Sequence, residues 1–576
     1  MLTAQRRWTP RDWLAAIALF VSTAAVVLWQ NAHVAVLWDL SYTLDSAARI
    51  AQGQLPYRDF PFAHAPLTFL IQAAIIRLTG RVFFHHVLYA AIVGGLGTVI
   101  TFRIALYSLA GRVNAAWPIA LILTAPLSVL GIYSILPLPS YDCDCALAVL
   151  VAIWLMQRLK PDSSRLFGIA TGAALCLPIF FKQNIGLPFL AAACGLITLA
   201  LAARFLGPLI RPLLTVLTGA AGSFIAALLL IHFTVGLGNY IHWTIGFAAQ
   251  RRLPGLQQML GVYKEPQLLW TLPCIVAALF LLRSALSTKR WAQVFALGLL
   301  AAPFIYTLCT LFIYDDADER GDSLLALWPL LLILAAVVSL WNLRNLRPQR
   351  AIGAHLALFL PILLLVAIHG TLMSQQLWGS TYAIWPLLIL LIAEMLAFLA
   401  EFKSPGFDLQ QVVPPIAAIV AITLLVCGGF YMASEERLTY AQLPDGPAQH
   451  SAFPQLRGLS IAGPYLSDLD ELLRYADAHI PNSDGLILIP GEDPFYFATG
   501  RTPQFPVLLF DPATDPLSPA QVAEEASNRR IRWLIVKRNL QLTADPTPQR
   551  EATLNLLLDS FTPAARLHAY DIYQSR

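Results

Sequence analysis

Apolar residues run in blocks of about twenty along most of the chain, and polar residues gather in the turns between them. A block of that length is what a helix needs to cross a bilayer. The pattern predicts about thirteen spans. They lie near 12–32, 83–107, 115–136, 144–159, 164–181, 185–203, 210–233, 267–285, 290–313, 323–341, 351–370, 381–400 and 411–432. The apolar stretch 66–79 is too short to cross and predicts a helix lying in the interface or re-entering. The pattern changes near residue 433. SDLDELLRYADAHI reads as a helix, GLILIP and FPVLLF as strands, SPAQVAEEASNRR as a helix and IRWLIVKR as a strand. A helix near 547–558 and a last strand near 565–573 complete the tail. Ser518 before Pro519 is a helix start, an N-cap with proline at the first position. The expected fold is a polytopic α-helical membrane bundle over 1–432 and a small C-terminal α/β soluble domain over 433–576.

Composition agrees with that class. The chain has 576 residues, of which 57% are hydrophobic and 12% charged, with a mean hydropathy of +0.63. That is too apolar for a soluble protein of this length. The net charge of +4 matters less than where the cations sit. Arg6, Arg7 and Arg11 precede the first span, and basic residues recur in every second turn: Arg112, then Arg158, Lys160 and Arg165, then Arg204 and Arg211. Arg283, Lys289 and Arg290 continue the series, followed by Arg344, Arg347 and Arg350, and then Lys403. The positive-inside rule puts these turns and the N-terminus in the cytoplasm. An odd number of spans then leaves the C-terminal domain outside, periplasmic in a Gram-negative cell. The first apolar run has no small-residue cleavage site after it and reads as an anchor of a multi-pass plasma-membrane (inner-membrane) protein.

Several chemistries find no support. Of seven cysteines, only Cys143 and Cys145 lie near polar residues, and their C-x-C spacing reads as small apolar residues at a helix start. The tail has no G-x-G-x-x-G and no Walker motif, so nucleotide binding is not expected there. Nothing in the pattern points to a nucleic-acid partner. What stands out is polar residues gathered at one end of the bundle. The first external loop, 33–82, carries Asp39, Asp45, Arg58, Asp59 and His64. The second holds LPLPSYDCDC with Asp142 and Asp144, and the fifth predicted span ends at FFKQNIG with Lys182 and Gln183. The fourth external loop, 234–266, carries His242, Trp243, Arg251 and Arg252, and the fifth carries YDDADERGD from Tyr314 to Asp322. Charges inside the spans are few, chiefly Arg103 and Glu394. A transporter places ionisable groups or broken helices at the midplane. An enzyme acting on a lipid-linked substrate needs its polar groups at headgroup depth, where a carboxylate takes a proton and cations hold a phosphate.

Within the first loop, Leu40–Gln52 reads as a short helix with Asp39 as N-cap and Gly53 just past its end. Asp45 and Arg49 are four apart and are expected to pair on one face. Pro56, Pro61 and Pro66 hold the next segment extended, so Tyr57, Arg58, Asp59 and His64 form an ordered loop. Asp39, the run AARIAQGQ from Ala47, PYRDF from Pro56 and APL from Ala65 together resemble the first loop of GT-C membrane glycosyltransferases. The branch it is similar to includes the lipid A aminoarabinose transferase and the dolichyl-phosphate-mannose protein mannosyltransferases, glycosyltransferase family 39-like enzymes. LPSYDCD (138–144) and FKQNIG (181–186) look like further landmarks of its bacterial members.

The resemblance covers about the first 200 residues and implies a function. The expected reaction moves a sugar from a polyprenyl-phosphate donor to a lipid, glycan or protein acceptor on the extracytoplasmic face. Asp39 is then the general base or orients the acceptor hydroxyl, with Asp142 and Asp144 as further catalytic carboxylates. Tyr57, Arg58, Asp59, His64, Lys182, Gln183, Arg251 and Arg252 are the substrate-binding set, with Lys182, Arg58 and Arg251 or Arg252 on the donor phosphate. Some relatives place two adjacent acids at the first-loop site. Here Leu40 follows Asp39, which leaves a divalent metal such as Mg or Mn an open requirement. The alternatives are a polysaccharide ligase or polymerase, for which the 234–266 loop is modest in arginine, and a lipid-linked sugar flippase, for which polar residues through the bundle are too scarce.

Overall fold

The computed structural model describes residues 8–202, 207–251, 256–313, 323–344, 352–373, 383–434, 438, 440–511, 514–543 and 547–576. Helices dominate up to Ala433. In chain order the first nine are α1 (Pro10–Asn31), α2 (Leu37–Ala51), α3 (Leu67–Thr79), α4 (Phe83–Leu109), α5 (Ala116–Thr124), α6 (Leu127–Leu130), α7 (Tyr141–Gln157), α8 (Arg165–Phe181) and α9 (Gln183–Ala202). Long helices continue at Ile210–Thr234, Leu268–Arg283, Arg290–Ile313, Leu327–Arg344, Ile352–Leu372, Trp385–Glu401 and Val413–Ala433. Among the described residues, seven helices are long and apolar enough to cross a membrane, and four shorter apolar ones accompany them.

The described residues do not confirm the count of thirteen. The expected span 115–136 is broken into α5, α6 and an irregular stretch. Pro126, which has no N–H to continue a helix, separates α5 from α6, and Gly131 ends α6 where an added Cβ would lie 2.2 Å from the Leu127 carbonyl oxygen. The stretch after Gly131 leads straight into the polar end of α7. Elsewhere the helices pack through small residues, as expected where apolar burial alone gives no preference between helix and lipid. A Cβ at Gly172 of α8 would lie 2.2 Å from the Val216 carbonyl oxygen, so α8 and Ile210–Thr234 are in backbone contact.

The tail holds β1 (Ala448–His450) paired antiparallel with β2 (Ser460–Ala462), and a four-stranded sheet of order β3-β4-β6-β5. Its strands are β3 (Leu486–Ile489), β4 (Trp533–Lys537), β5 (Phe561–Arg566) and β6 (Tyr570–Ser575). β3 and β4 are parallel and the other pairs antiparallel. Helices Tyr465–His479, Pro519–Asn528 and Pro548–Leu558 lie where the pattern puts them, and Ser518 closes a capping box with Gln521. FPVLLF is no strand. Phe505, Val507, Leu509 and Phe510 are buried, but the backbone runs irregularly and Pro506 can donate no ladder bond. The run is apolar because it plugs the space between the sheet and the first loop. The last expected strand is instead the hairpin β5–β6.

The bundle and the tail are stitched together through α2. Leu37 N–H donates to Gln541 Oε1 (2.7 Å), and Gln541 Nε2 donates to the Ala35 carbonyl (2.9 Å). Ser41 Oγ donates to the Gly491 carbonyl (2.5 Å). Asp45 accepts from the backbone N–H groups of Phe497 (2.6 Å) and Tyr496 (3.2 Å). Arg49 donates to Gln54 and to the Pro506 carbonyl (2.8 Å), and stacks its guanidinium 4.2 Å from the Phe60 ring centre. The expected Asp45–Arg49 pair does not form, because each group reaches across to the tail instead. α2 also begins earlier than expected, at Leu37 with Val36 as N-cap, so Asp39 lies inside its first turn rather than capping it.

Candidate active site

The first loop, the start of α7 and the break between α8 and α9 meet at one place. Thr43 Oγ1 lies 3.5 Å from the Pro139 carbonyl, which ties α2 to the approach to α7. Tyr42, one turn after Asp39 on α2, hydrogen-bonds His64 Nδ1 through its hydroxyl. Tyr57 donates to the His64 carbonyl (2.6 Å). The His64 ring sits 4.7 Å from that of Tyr141, and Lys182 Nζ lies 5.4 Å from the Tyr141 ring centre. Lys182 forms an ion pair with Asp142, both groups being buried. Asp142, His64, Tyr42, Tyr141 and Lys182 thus form one connected cluster, beside the helical face that bears Asp39.

Local sequence explains how each group is held. Lys182 is the single extended residue between α8 and α9. A Cβ at Gly186 would lie 2.1 Å from the Ile179 backbone nitrogen, so only glycine lets α9 turn back so tightly on α8. Gln183 Nε2 donates to the Thr244 carbonyl (2.8 Å), inside a π-helical turn at His242–Phe247. Such turns recur at functional sites because their widened backbone presents carbonyls sideways. Tyr57 has a positive φ of 69° and Tyr133 one of 67°, unusual for residues with a bulky side chain. Both tyrosines use that backbone to turn a hydroxyl inward.

Asp39 and Asp144 differ in their surroundings. Asp144 accepts three hydroxyl hydrogen bonds, from Thr68 Oγ1 (2.7 Å), Tyr89 (2.8 Å) and Tyr133 (2.8 Å). It joins the start of α3, α4 and the stretch before α7. Asp39 is partly exposed and accepts one bond, from the Tyr440 hydroxyl (2.6 Å). Burial raises its carboxyl from the ordinary range to about 6, against the lowering effect of Tyr440. Arg58 and Asp59 face outward. They form an exposed pair (2.8 Å) in which Asp59 also accepts from Leu55 N–H (2.7 Å) and so closes the turn. Arg251 ends a short helix, but its side chain, Arg252 and the acidic stretch 314–322 lie outside the described residues.

Among the residues that the structure adds and the sequence did not single out are Tyr141 and Tyr440. Tyr141 adjoins Asp142 in SYDCD and is the ring between His64 and Lys182, so adjacency was the available signal. Tyr440 is 401 positions from Asp39, and no local pattern could have linked them. A divalent ion finds no ready ligand set: among the described residues no three His, Cys, Asp or Glu side chains converge. Asp39, Asp142 and Asp144 are engaged by a tyrosine, a lysine and three hydroxyls respectively.

No family model matches the chain, and no curated protein does. The chain is similar to several solved structures. One is ArnT from Cupriavidus metallidurans bound to undecaprenyl phosphate, at 14% identity over 98% of each chain with a TM-score of 0.44. The same protein in the apo state matches at 13% identity over 97% of each chain, TM-score 0.46. A third is the archaeal oligosaccharyltransferase AglB from Archaeoglobus fulgidus in complex with an inhibitory peptide and a dolichol-phosphate. It matches at 10% identity over 92% of this chain and 70% of that one, TM-score 0.47. The likeness is one of chain path, and residue roles rest on this chain's own contacts.

Proposed function

We propose that this chain is an integral-membrane glycosyltransferase that moves a sugar from a polyprenyl-phosphate donor to a lipid, glycan or protein acceptor at the extracytoplasmic membrane surface. The observation that carries the reading is Asp39, a partly exposed carboxylate at the end of the bundle, tuned by burial to about 6 and held by one tyrosine. A base works best when its pKa lies near the operating pH, because it is then both largely ionised and basic enough to accept a proton. Asp39 takes the proton of the acceptor hydroxyl as that oxygen attacks the anomeric carbon. The bond from that carbon to the donor phosphate oxygen breaks, and the polyprenyl phosphate leaves with the electron pair. Lys182, fixed by Asp142, supplies the cation that offsets charge developing on the leaving phosphate. Tyr42, Tyr57 and His64 shape the wall between the two carboxylates, and Asp144 anchors it. The resemblance of the first loop to GT-C enzymes supports the same reading.

The test is a proteoliposome assay with a polyprenyl-phosphate-linked sugar. Cleavage of the sugar–phosphate bond, lost in Asp39→Asn, supports transfer. Movement of the intact lipid across the bilayer without cleavage would make the chain a flippase instead.

A further inference from the structure

A polar cavity lies far from that site. It measures about 720 Å³ and opens between the start of α1, the end of α4 and the end of α7. α1 and α4 run from this cavity to the tail. Asn31 at the far end of α1 donates to the Gly458 carbonyl (2.8 Å), and Phe84 N–H at the far end of α4 donates to the Arg457 carbonyl (3.0 Å). The 22 residues of α1 span ~33 Å, close to the hydrocarbon thickness of a bilayer. The cavity is thus at the opposite membrane interface from the Asp39 site.

Its lining is cationic and, among the described residues, contains no carboxylate. Arg11, Arg103, Arg158 and Lys160 line it. Three of these cations are held against indole rings: Arg103 lies 4.3 Å from the Trp8 ring centre, Arg158 4.7 Å from Trp154 and Arg11 5.1 Å from Trp117. Asp12, the nearby acid, is fully buried and does not line the cavity. It accepts from Trp117 Nε1 and from Thr9 N–H and Oγ1, all at 2.8 Å, and stands 4.0 Å from Arg103. Gln157 also lines the cavity and is only 6% exposed; its Oε1 has no hydrogen-bond partner. An unpaired buried amide oxygen costs free energy unless something donates to it. Stacked arginines hold planar, pre-aimed donors suited to phosphate oxygens, and tryptophans mark headgroup depth.

We propose that this cavity binds the phosphate of an anionic phospholipid from the leaflet facing away from the tail. The shared chemistry is a phosphate ester. The cations take the phosphate, and the apolar wall at Leu106 and Val113 follows the chain linkage. The choice of a lipid over a soluble ester rests on depth.

The test is native mass spectrometry of the full-length chain titrated with phosphatidylglycerol, phosphatidylcholine or glycerol 3-phosphate. The chain should retain phosphatidylglycerol at least about tenfold better than phosphatidylcholine. The doubly substituted chain Arg158→Gln, Lys160→Gln changes exposed side chains only and should lose about tenfold of that retention. A control carrying Lys289→Gln and Lys403→Gln, with the same charge change, should not. Equal retention of the two lipids, or unchanged retention in the first variant, overturns the proposal. Binding of glycerol 3-phosphate without retention of phosphatidylglycerol overturns the lipid and assigns the cavity to a soluble ester.

Discussion

Asp39→Asn is expected to move stability and activity in opposite directions. Burial raises the Asp39 carboxyl from 3.8 to about 6. The folded state then binds the proton more tightly than the unfolded chain, so stability falls as pH rises from near 4 to near 6 and the full cost stands above that. Two pKa units correspond to ~3 kcal/mol. Asp39 is partly open to solvent, and the first turn of α2 favours a negative charge by ~0.3–1 kcal/mol, so the net cost is ~1–2 kcal/mol. Asparagine keeps an oxygen for the Tyr440 hydroxyl and carries no charge. The variant should therefore be as stable as the wild type at pH 4 and ~1–2 kcal/mol more stable at pH 7, by thermal unfolding in detergent. It should transfer sugar about 10²-fold or more slowly, the usual worth of a positioned base. A variant that transfers within a few-fold of wild type would refute the base assignment, whatever its stability. A variant that unfolds more readily at pH 7 than at pH 4, relative to wild type, would refute the charge argument.

Other consequences arise from the same contacts. Wild-type transfer should rise as pH climbs through about 6, because the ionised form of Asp39 is the proposed base; a rate flat from pH 5 to 8 contradicts this. Lys182→Ala strands the buried Asp142 carboxylate and should destabilise the fold by ~3–5 kcal/mol. The double change Asp142→Asn, Lys182→Gln should restore stability yet leave donor use impaired, whereas Lys289→Ala, in an exposed turn, should alter neither. Asp45→Ala leaves two backbone N–H groups without their acceptor and should cost ~2–3 kcal/mol, seen as earlier proteolysis between bundle and tail. Asp45→Asn keeps one acceptor oxygen and should cost less. Tyr133→Phe removes one of three donors to Asp144 and should lower stability by ~1–2 kcal/mol without abolishing transfer.

Long apolar periodicity made the bundle legible, because nothing but a bilayer crossing explains so many runs of that length. The tail's helices were legible for a local reason: Ser518–Pro519 fixes a helix start by its own hydrogen bonds. FPVLLF misled because burial and strand pairing are different demands, and an apolar run fills a gap as well as it joins a sheet. The same limit applied to Asp45 and Arg49. Their i,i+4 spacing permits a pair, but partners some 450 positions away offer backbone groups in a buried setting, where the hydrogen bonds are stronger. Asp39, Lys182 and His64 were visible as polar residues where the chain meets the membrane surface. Tyr440 was invisible because its partner is set by how the tail docks, and docking leaves no periodic trace.

The most direct test of the central claim is the lipid that the protein carries. Wild-type chain purified from its native membrane, together with the Asp142→Asn, Lys182→Gln chain, is extracted and analysed by mass spectrometry for polyprenyl-phosphate-linked sugars. The account predicts one such lipid bound to the wild type and reduced at least about tenfold in the variant, since a fixed cation at the phosphate is worth more than a kilocalorie. Its absence from both, or equal amounts in both, would contradict the assignment of Lys182 to a lipid-linked donor and with it the reaction proposed here.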